Sequence, residues 1–230
     1  MAKKPARQKA STPASPSGSD RDRIVAAFMA LLAESSFEKI GLSEIATRAG
    51  VSLGALRGEF PSALAILAAH IKNVDRQVLD GSEGDMTDEP PRERLFDVLM
   101  RRIEVLTPHK DALRSLLRSA TRNPGLALAL NAMAVRSQQW MLTAADIRAS
   151  GPRGMVRAQC LAIMFARVLR TFVNDDDEGH APTMAALDRE LAHGARWVGL
   201  LDDLCRFVPR FRPRRRRYRD EDDGDEVVAA

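Results

Sequence analysis

Aromatic side chains make up only 5% of this sequence of 230 residues, and cysteine occurs twice, as Cys160 and Cys205. Few aromatics beside abundant Ala, Leu and Arg argue for helices over sheets, because strands favour β-branched and aromatic side chains. Two cysteines build no disulfide framework, which fits a reducing cytoplasm. No apolar run approaches the roughly 18 residues of a membrane-spanning helix. No apolar segment follows the charged N-terminus, so no secretory signal is expected. His70, His109, His180 and His193 show no i, i+4 spacing to one another or to a cysteine, so no helical metal site is spelled out. Asp175, Asp176, Asp177 and Glu178 lack the turn glycine of a calcium loop and read as a solvated loop. No glycine-rich phosphate loop and no nucleophile–base set is visible. The expectation is a protein that is not an enzyme, with no catalytic residue, metal or cofactor. Cys160, set among apolar neighbours, reads as an inert core residue.

What is present is helical periodicity. Apolar residues make up 45% of the chain, and their spacing predicts an all-α fold of about nine helices. The first runs from about Asp20 to Ser35, with Ile24, Ala27, Phe28, Leu31 and Leu32 on one face and Phe37 packing back on it. A helix from about Ser62 to Leu79 buries Leu64, Leu67, Ile71, Val74 and Val78. Helices then run from Pro91 to Leu106, from Thr107 to about Thr121, from Pro124 to Ile147, from Pro152 to Val173 and from Pro182 to Cys205. Proline opens most of them, where its missing N–H costs nothing. The segment from Asp80 to Pro91 is a loop by composition. It divides a small unit, 20–80, from a larger one, 91–205.

Charge is uneven. Residues 1–19 carry four basic residues and no acid; residues 206–219 carry eight arginines and no acid; residues 220–230 carry six acids. Both ends, 1–19 and 206–230, read as disordered tails. The basic C-terminal run offers a weak contact with anionic surfaces. Residues 20–80 hold seven basic and eight acidic residues, which is little positive charge for a duplex-binding face.

Leu42 to Phe60, LSEIATRAGVSLGALRGEF, organises the small unit. Leu42, Ile45, Ala46 and Ala49 form one helical face. Gly50 supplies a turn, Ser52 is placed to cap a second helix, and Leu56 and Phe60 lie four apart on its inner side. Two short helices joined by such a turn make a helix-turn-helix. In DNA-binding versions the second helix enters the major groove. With Ile24, Ala27 and Phe37 upstream, Ile45 and Ala46, Ala49 to Ser52, Gly54, Leu56 and Phe60 to Ser62, the stretch resembles the TetR family of one-component regulators.

That resemblance, which covers about Arg21 to Ile71, implies an all-α homodimer with an N-terminal DNA-binding domain and a larger C-terminal domain for effector binding and dimerisation. It places Ser43, Ser52, Leu53, Ala55 and Arg57 toward double-stranded DNA. It makes Met133, Trp140, Met141, Met164, Phe165 and Phe172 candidates for a pocket taking a hydrophobic small molecule or lipid. It makes the last two long helices candidates for the dimer contact. Where the family commonly has polar, basic or tyrosine residues on the second motif helix, this chain has Leu53, Ala55, Arg57, Gly58 and Glu59. A second reading is therefore a non-catalytic lipid-binding protein on the same scaffold, similar to the accessory proteins of ubiquinone biosynthesis, with DNA binding lost.

Overall fold

The structure is a computed structural model that describes residues 19–81 and 89–206, with side chains up to His193 in the last helix. Nine α-helices and no strand occur among the described residues: α1 (Asp20–Glu34), α2 (Leu42–Ala49), α3 (Leu53–Glu59), α4 (Ala63–Asp80), α5 (Pro91–Leu106), α6 (Lys110–Arg122), α7 (Pro124–Ala144), α8 (Gly151–Phe172) and α9 (Ala181–Arg206). The all-α expectation holds. Both tails, and the side chains of Trp197 and Cys205, lie outside what is described.

Local chemistry sets the helix ends. Ser52 Oγ accepts from the Ala55 N–H at 3.0 Å, Ser62 Oγ from Ala65 at 3.3 Å, and Asn123 Oδ1 from Leu126 at 3.0 Å. Each bond satisfies a first-turn donor that has no partner within its own helix. Gly50, at φ +64°, closes α2 in the left-handed conformation. The Val51 N–H then returns to the Ala46 carbonyl at 3.0 Å, which turns the chain directly into α3. At the other tight corner, a Cβ on Gly154 would collide with the Ala149 backbone, so α8 starts against the α7–α8 connection only because that residue has no side chain.

Two apolar cores form. The smaller packs Ile24, Phe28 and Leu32 of α1 against Ile45 of α2, Leu56 of α3, Phe60 and Ile66. Phe37 meets the Phe28 ring edge-on at 6.3 Å, as expected. The larger core joins Leu99 and Ile103 of α5, Met141 of α7, Val168 and Phe172 of α8, and Leu187 of α9. Each such side chain contributes about 1.5–3 kcal/mol when fully buried.

The cores share α4: Ile66 and Leu67 enter the smaller one, Val74 and Val78 the larger. The larger unit also reaches back, since Ala112, Leu116 and Leu126 complete the smaller core. Ser115 Oγ donates to the Ser35 carbonyl at 2.7 Å, and the Phe37 N–H donates to Ser119 Oγ at 3.1 Å. These bonds fasten the end of α1 to α6.

Two local expectations change. Cys160 is exposed, because α8 turns Val156, Cys160 and Ile163 outward while Ala158, Leu161, Phe165 and Val168 face inward. Asp175 is buried rather than solvated, and accepts from both the Thr183 N–H and hydroxyl at the start of α9. The residues that follow it, Asp176 to Glu178, are exposed.

Candidate functional site

The outer face of the helix-turn-helix is defined by what α3 buries. Leu56 is buried and Ala55 half-buried, so Leu53, Gly54, Arg57 and Gly58 face solvent. Leu53 is 52% exposed. Ser43 is exposed in the first turn of α2. Of the five residues expected to face DNA, Ser43, Leu53 and Arg57 are open to a partner. Ser52 is exposed, but its oxygen holds the α3 cap, and Ala55 is largely covered.

Neighbouring charges are held within the unit. Glu59 pairs with Arg21 at 3.4 Å, and the Arg21 guanidinium lies over the Phe60 ring at 4.4 Å. Arg48 pairs with Glu34, and Arg23 with Asp20. On α3 this leaves Arg57 as the cation able to reach a phosphate or a base edge.

A cavity of about 420 Å³ lies behind this unit, walled by α4, α5, α6, α7 and α8. Its lining is mostly aliphatic, but His70, Arg102, Asn131 and Gln138 also face it. Arg102 Nη1 donates to Asp75 Oδ1 at 2.6 Å, and Ser137 Oγ donates to the same oxygen at 2.6 Å. Both members of the ion pair are buried. Asn131 and Gln159 exchange two amide bonds, at 3.1 and 2.9 Å. Five polar atoms among the described residues are buried without a hydrogen-bond partner: Arg23 Nε, His180 Nδ1, His70 Nε2, Arg102 Nε and Gln138 Oε1. The last three belong to residues of the cavity wall. Burial, together with His109 and Arg102, pushes the His70 imidazole down to about 4, so the ring is neutral at pH 7.

Among the six residues expected to form a pocket, Phe165 alone lines this cavity. Met141 and Phe172 are fully buried in the larger core, and Met164 is almost so. Met133 packs against the smaller core, and Trp140 is 56% exposed. Soft and aromatic side chains serve a dry core as readily as a cavity, so composition could not separate the two. The residues that sequence reasoning missed are the polar ones. A readable signal existed for Arg102, which interrupts the apolar stripe of Leu99, Ile103 and Leu106. His70 interrupts α4 in the same way.

A wider polar groove of about 790 Å³ lies between the end of α1 and α6. Its serines already bond across it, Ser115 to Ser35 and Ser119 to Phe37. Among the described residues, no group of His, Cys, Asp and Glu could hold a metal ion, and no helix is long and apolar enough to cross a membrane.

The fold has counterparts of known structure. A TetR transcriptional regulator from Nitrosomonas europaea superposes with a TM-score of 0.60 at 23% identity, over 76% of this chain and 98% of that one. One from Rhodococcus sp. RHA1 gives 0.55 at 22% identity, over 76% and 95%. No family model and no curated protein matches the sequence. The chain has the fold of TetR-family transcriptional regulators.

Proposed function

We propose that the chain is a ligand-responsive transcriptional regulator that binds duplex DNA as a dimer. The observation that carries this reading is the double duty of α4. Ile66 and Leu67 of that helix hold the helix-turn-helix, while Leu67, His70, Ile71 and Val74 form a wall of the cavity. A ligand that fills the cavity presses on the helix to which the DNA-facing unit is attached. Its differential affinity for two placements of α4 is what shifts DNA binding.

In this reading Arg57 contacts a base edge or phosphate, Ser43 adds a hydrogen bond to the backbone, and Leu53 offers apolar contact to thymine methyls. The dimer forms through α8 and α9. Val156 and Ile163 on α8 and Met184 on α9 are each 43–49% exposed, as apolar surface awaiting a partner would be. Two such units read half-sites about 34 Å apart on one face of the duplex. Sequencing of genomic fragments retained by the purified full-length protein tests the reading. A two-fold symmetric site with that spacing is expected; fragments without sequence enrichment would overturn it.

One observation favours the second reading, a lipid-binding protein without DNA activity. The exposed face of α3 offers Arg57 beside Leu53, Gly54 and Gly58, a poor set of donors for a groove. Fragments without enrichment, together with ligand binding in the cavity, would make that reading the better one.

A further inference from the structure

We propose that the cavity takes an amphiphilic carboxylate, its acid group at Arg102, His70 and Gln138 and its hydrocarbon chain among the leucines of α5, α6 and α7. This rests on the reading of the cavity as a ligand site and adds the chemistry of the ligand.

The argument starts from the three unpartnered atoms. Buried polar groups in folded proteins are nearly always hydrogen-bonded, and each orphan costs free energy. Here His70 Nε2, Arg102 Nε and Gln138 Oε1 are all orphaned, in side chains that wall the same space. Gln138 follows Ser137, whose hydroxyl and the Arg102 guanidinium meet on Asp75, and Arg102 is near enough to His70 to depress its protonation. A ligand group that satisfies all three removes a cost already present in the empty protein.

The donors decide the class. Arg102 Nε–H can only donate. A neutral imidazole donates from Nε2 in one of its two tautomers, and an amide end can be turned to present its NH₂. Three donors on one group call for an acceptor-only partner with several lone pairs, which a carboxylate is and an alcohol or amine is not. Charge points the same way. Arg102, Arg167 and Arg170 line the cavity and no Asp or Glu does. Asp75 and Glu190 pair with Arg102 and Arg167 from outside the lining. Arg167 and Arg170 are exposed, so they sit at the open end, where they attract an anion on its way in.

The remainder of the wall is hydrocarbon. Leu106, Leu113, Leu116, Leu117, Leu130 and Leu169 line it. At about 30 Å³ for each group of water size, 420 Å³ accommodates an acid of medium chain length.

The test is displacement of a neutral fluorescent dye, N-phenyl-1-naphthylamine, from the full-length protein by dodecanoate, dodecan-1-ol and dodecyltrimethylammonium. Dodecanoate is expected to displace the dye at about tenfold lower concentration than the alcohol, since bonds to a charged acceptor exceed those to a neutral one. In His70→Leu and in Gln138→Leu that advantage should shrink to about threefold or less. Displacement by the alcohol should weaken by about twofold or less in both variants, because its bonds to these groups are weaker, whereas loss of folding would abolish it. Equal displacement by alcohol and acid, or equal weakening of both in the variants, overturns the carboxylate assignment while leaving the cavity as a ligand site. Failure of the dye and of all three amphiphiles to bind overturns the assignment together with the cavity reading. Selection of a DNA site is measured separately and is unaffected by either result.

Discussion

Around Phe60 the buried side chains are apolar and the charges stay at the edge: Arg21 lies over the ring and reaches out to Glu59. Around Phe165 a carboxylate, a guanidinium, an imidazole and an amide are buried among leucines, and three of their atoms are unpaired. In the first region one buried polar atom, Arg23 Nε, is unpaired. The second holds more polar groups, at a cost in desolvation. The difference separates a core closed mainly by hydrocarbon from one that buries polar groups beside a cavity.

The comparison predicts different weak points. Phe60 is 2% exposed, so Phe60→Ala loses burial and leaves a cavity. We expect about 3–5 kcal/mol of destabilisation, seen as a lower midpoint in a denaturant melt. An unchanged midpoint would mean that the small core does not depend on packing at this ring.

In the second core the corresponding break is electrostatic. Arg102→Met strands the Asp75 carboxylate in a buried site, and we expect a loss of about 3–5 kcal/mol. The double variant Asp75→Asn, Arg102→Met should recover much of it, because no uncompensated charge remains. A double variant as unstable as the single one would show that the pair acts through packing, and the contrast between the cores would fall.

Acid distinguishes the cores next. The folded pKa of His70 lies near 4, below its ordinary 6.5. Between those values the unfolded chain takes up a proton that the folded site refuses. Stability therefore rises with pH through that window and is lost as acid is added, by roughly 3 kcal/mol at most. Burial lowers His109 as well, and its ring stacks edge-on against His70 at 4.6 Å, so it adds in the same direction. Arg102 repels the protonated His70, while the nearby Asp75 carboxylate is engaged by Arg102 and Ser137. Denaturant melts between pH 7 and 4 should fall more steeply for the wild type than for His70→Leu. Parallel curves would show that His70 does not carry this acid sensitivity.

A smaller effect belongs to the turn of the first region. Gly50→Ala places a side chain in a left-handed conformation with no steric contact closer than Arg23 at 3.8 Å. Strain alone then costs about 1–2 kcal/mol, measurable in the same melts. A neutral result would mean that the turn relaxes.

The two regions also differed in how far the sequence revealed them. The smaller one rests on local signals: Ser52 capping α3, Gly50 ending α2, and Leu56 four residues before Phe60. Each acts within one turn of chain, so spacing alone was enough to place it. The helices of the larger unit were legible for the same reason, to within a few residues at their ends. The cavity was not. Its wall takes residues from five helices, and its informative members, His70, Arg102 and Gln138, gain their meaning only from neighbours distant in sequence. Met141 and Phe172, candidates through the family resemblance, are buried in the larger core, whereas Arg102 interrupts an apolar stripe and lines the cavity. Cys160 shows the converse, since a side chain with apolar sequence neighbours still faces outward when the helix turns it there.

Whether the first region reads DNA is tested most directly by comparing the wild type with Arg57→Ala on a selected site and on random duplex, at two salt concentrations. The account predicts a loss of about 1–3 kcal/mol on the selected site and much less on random DNA. Binding indifferent to sequence and to Arg57, steep in salt and abolished by deleting residues 1–19 and 206–230, would contradict it, because the tails alone would then be holding the phosphates.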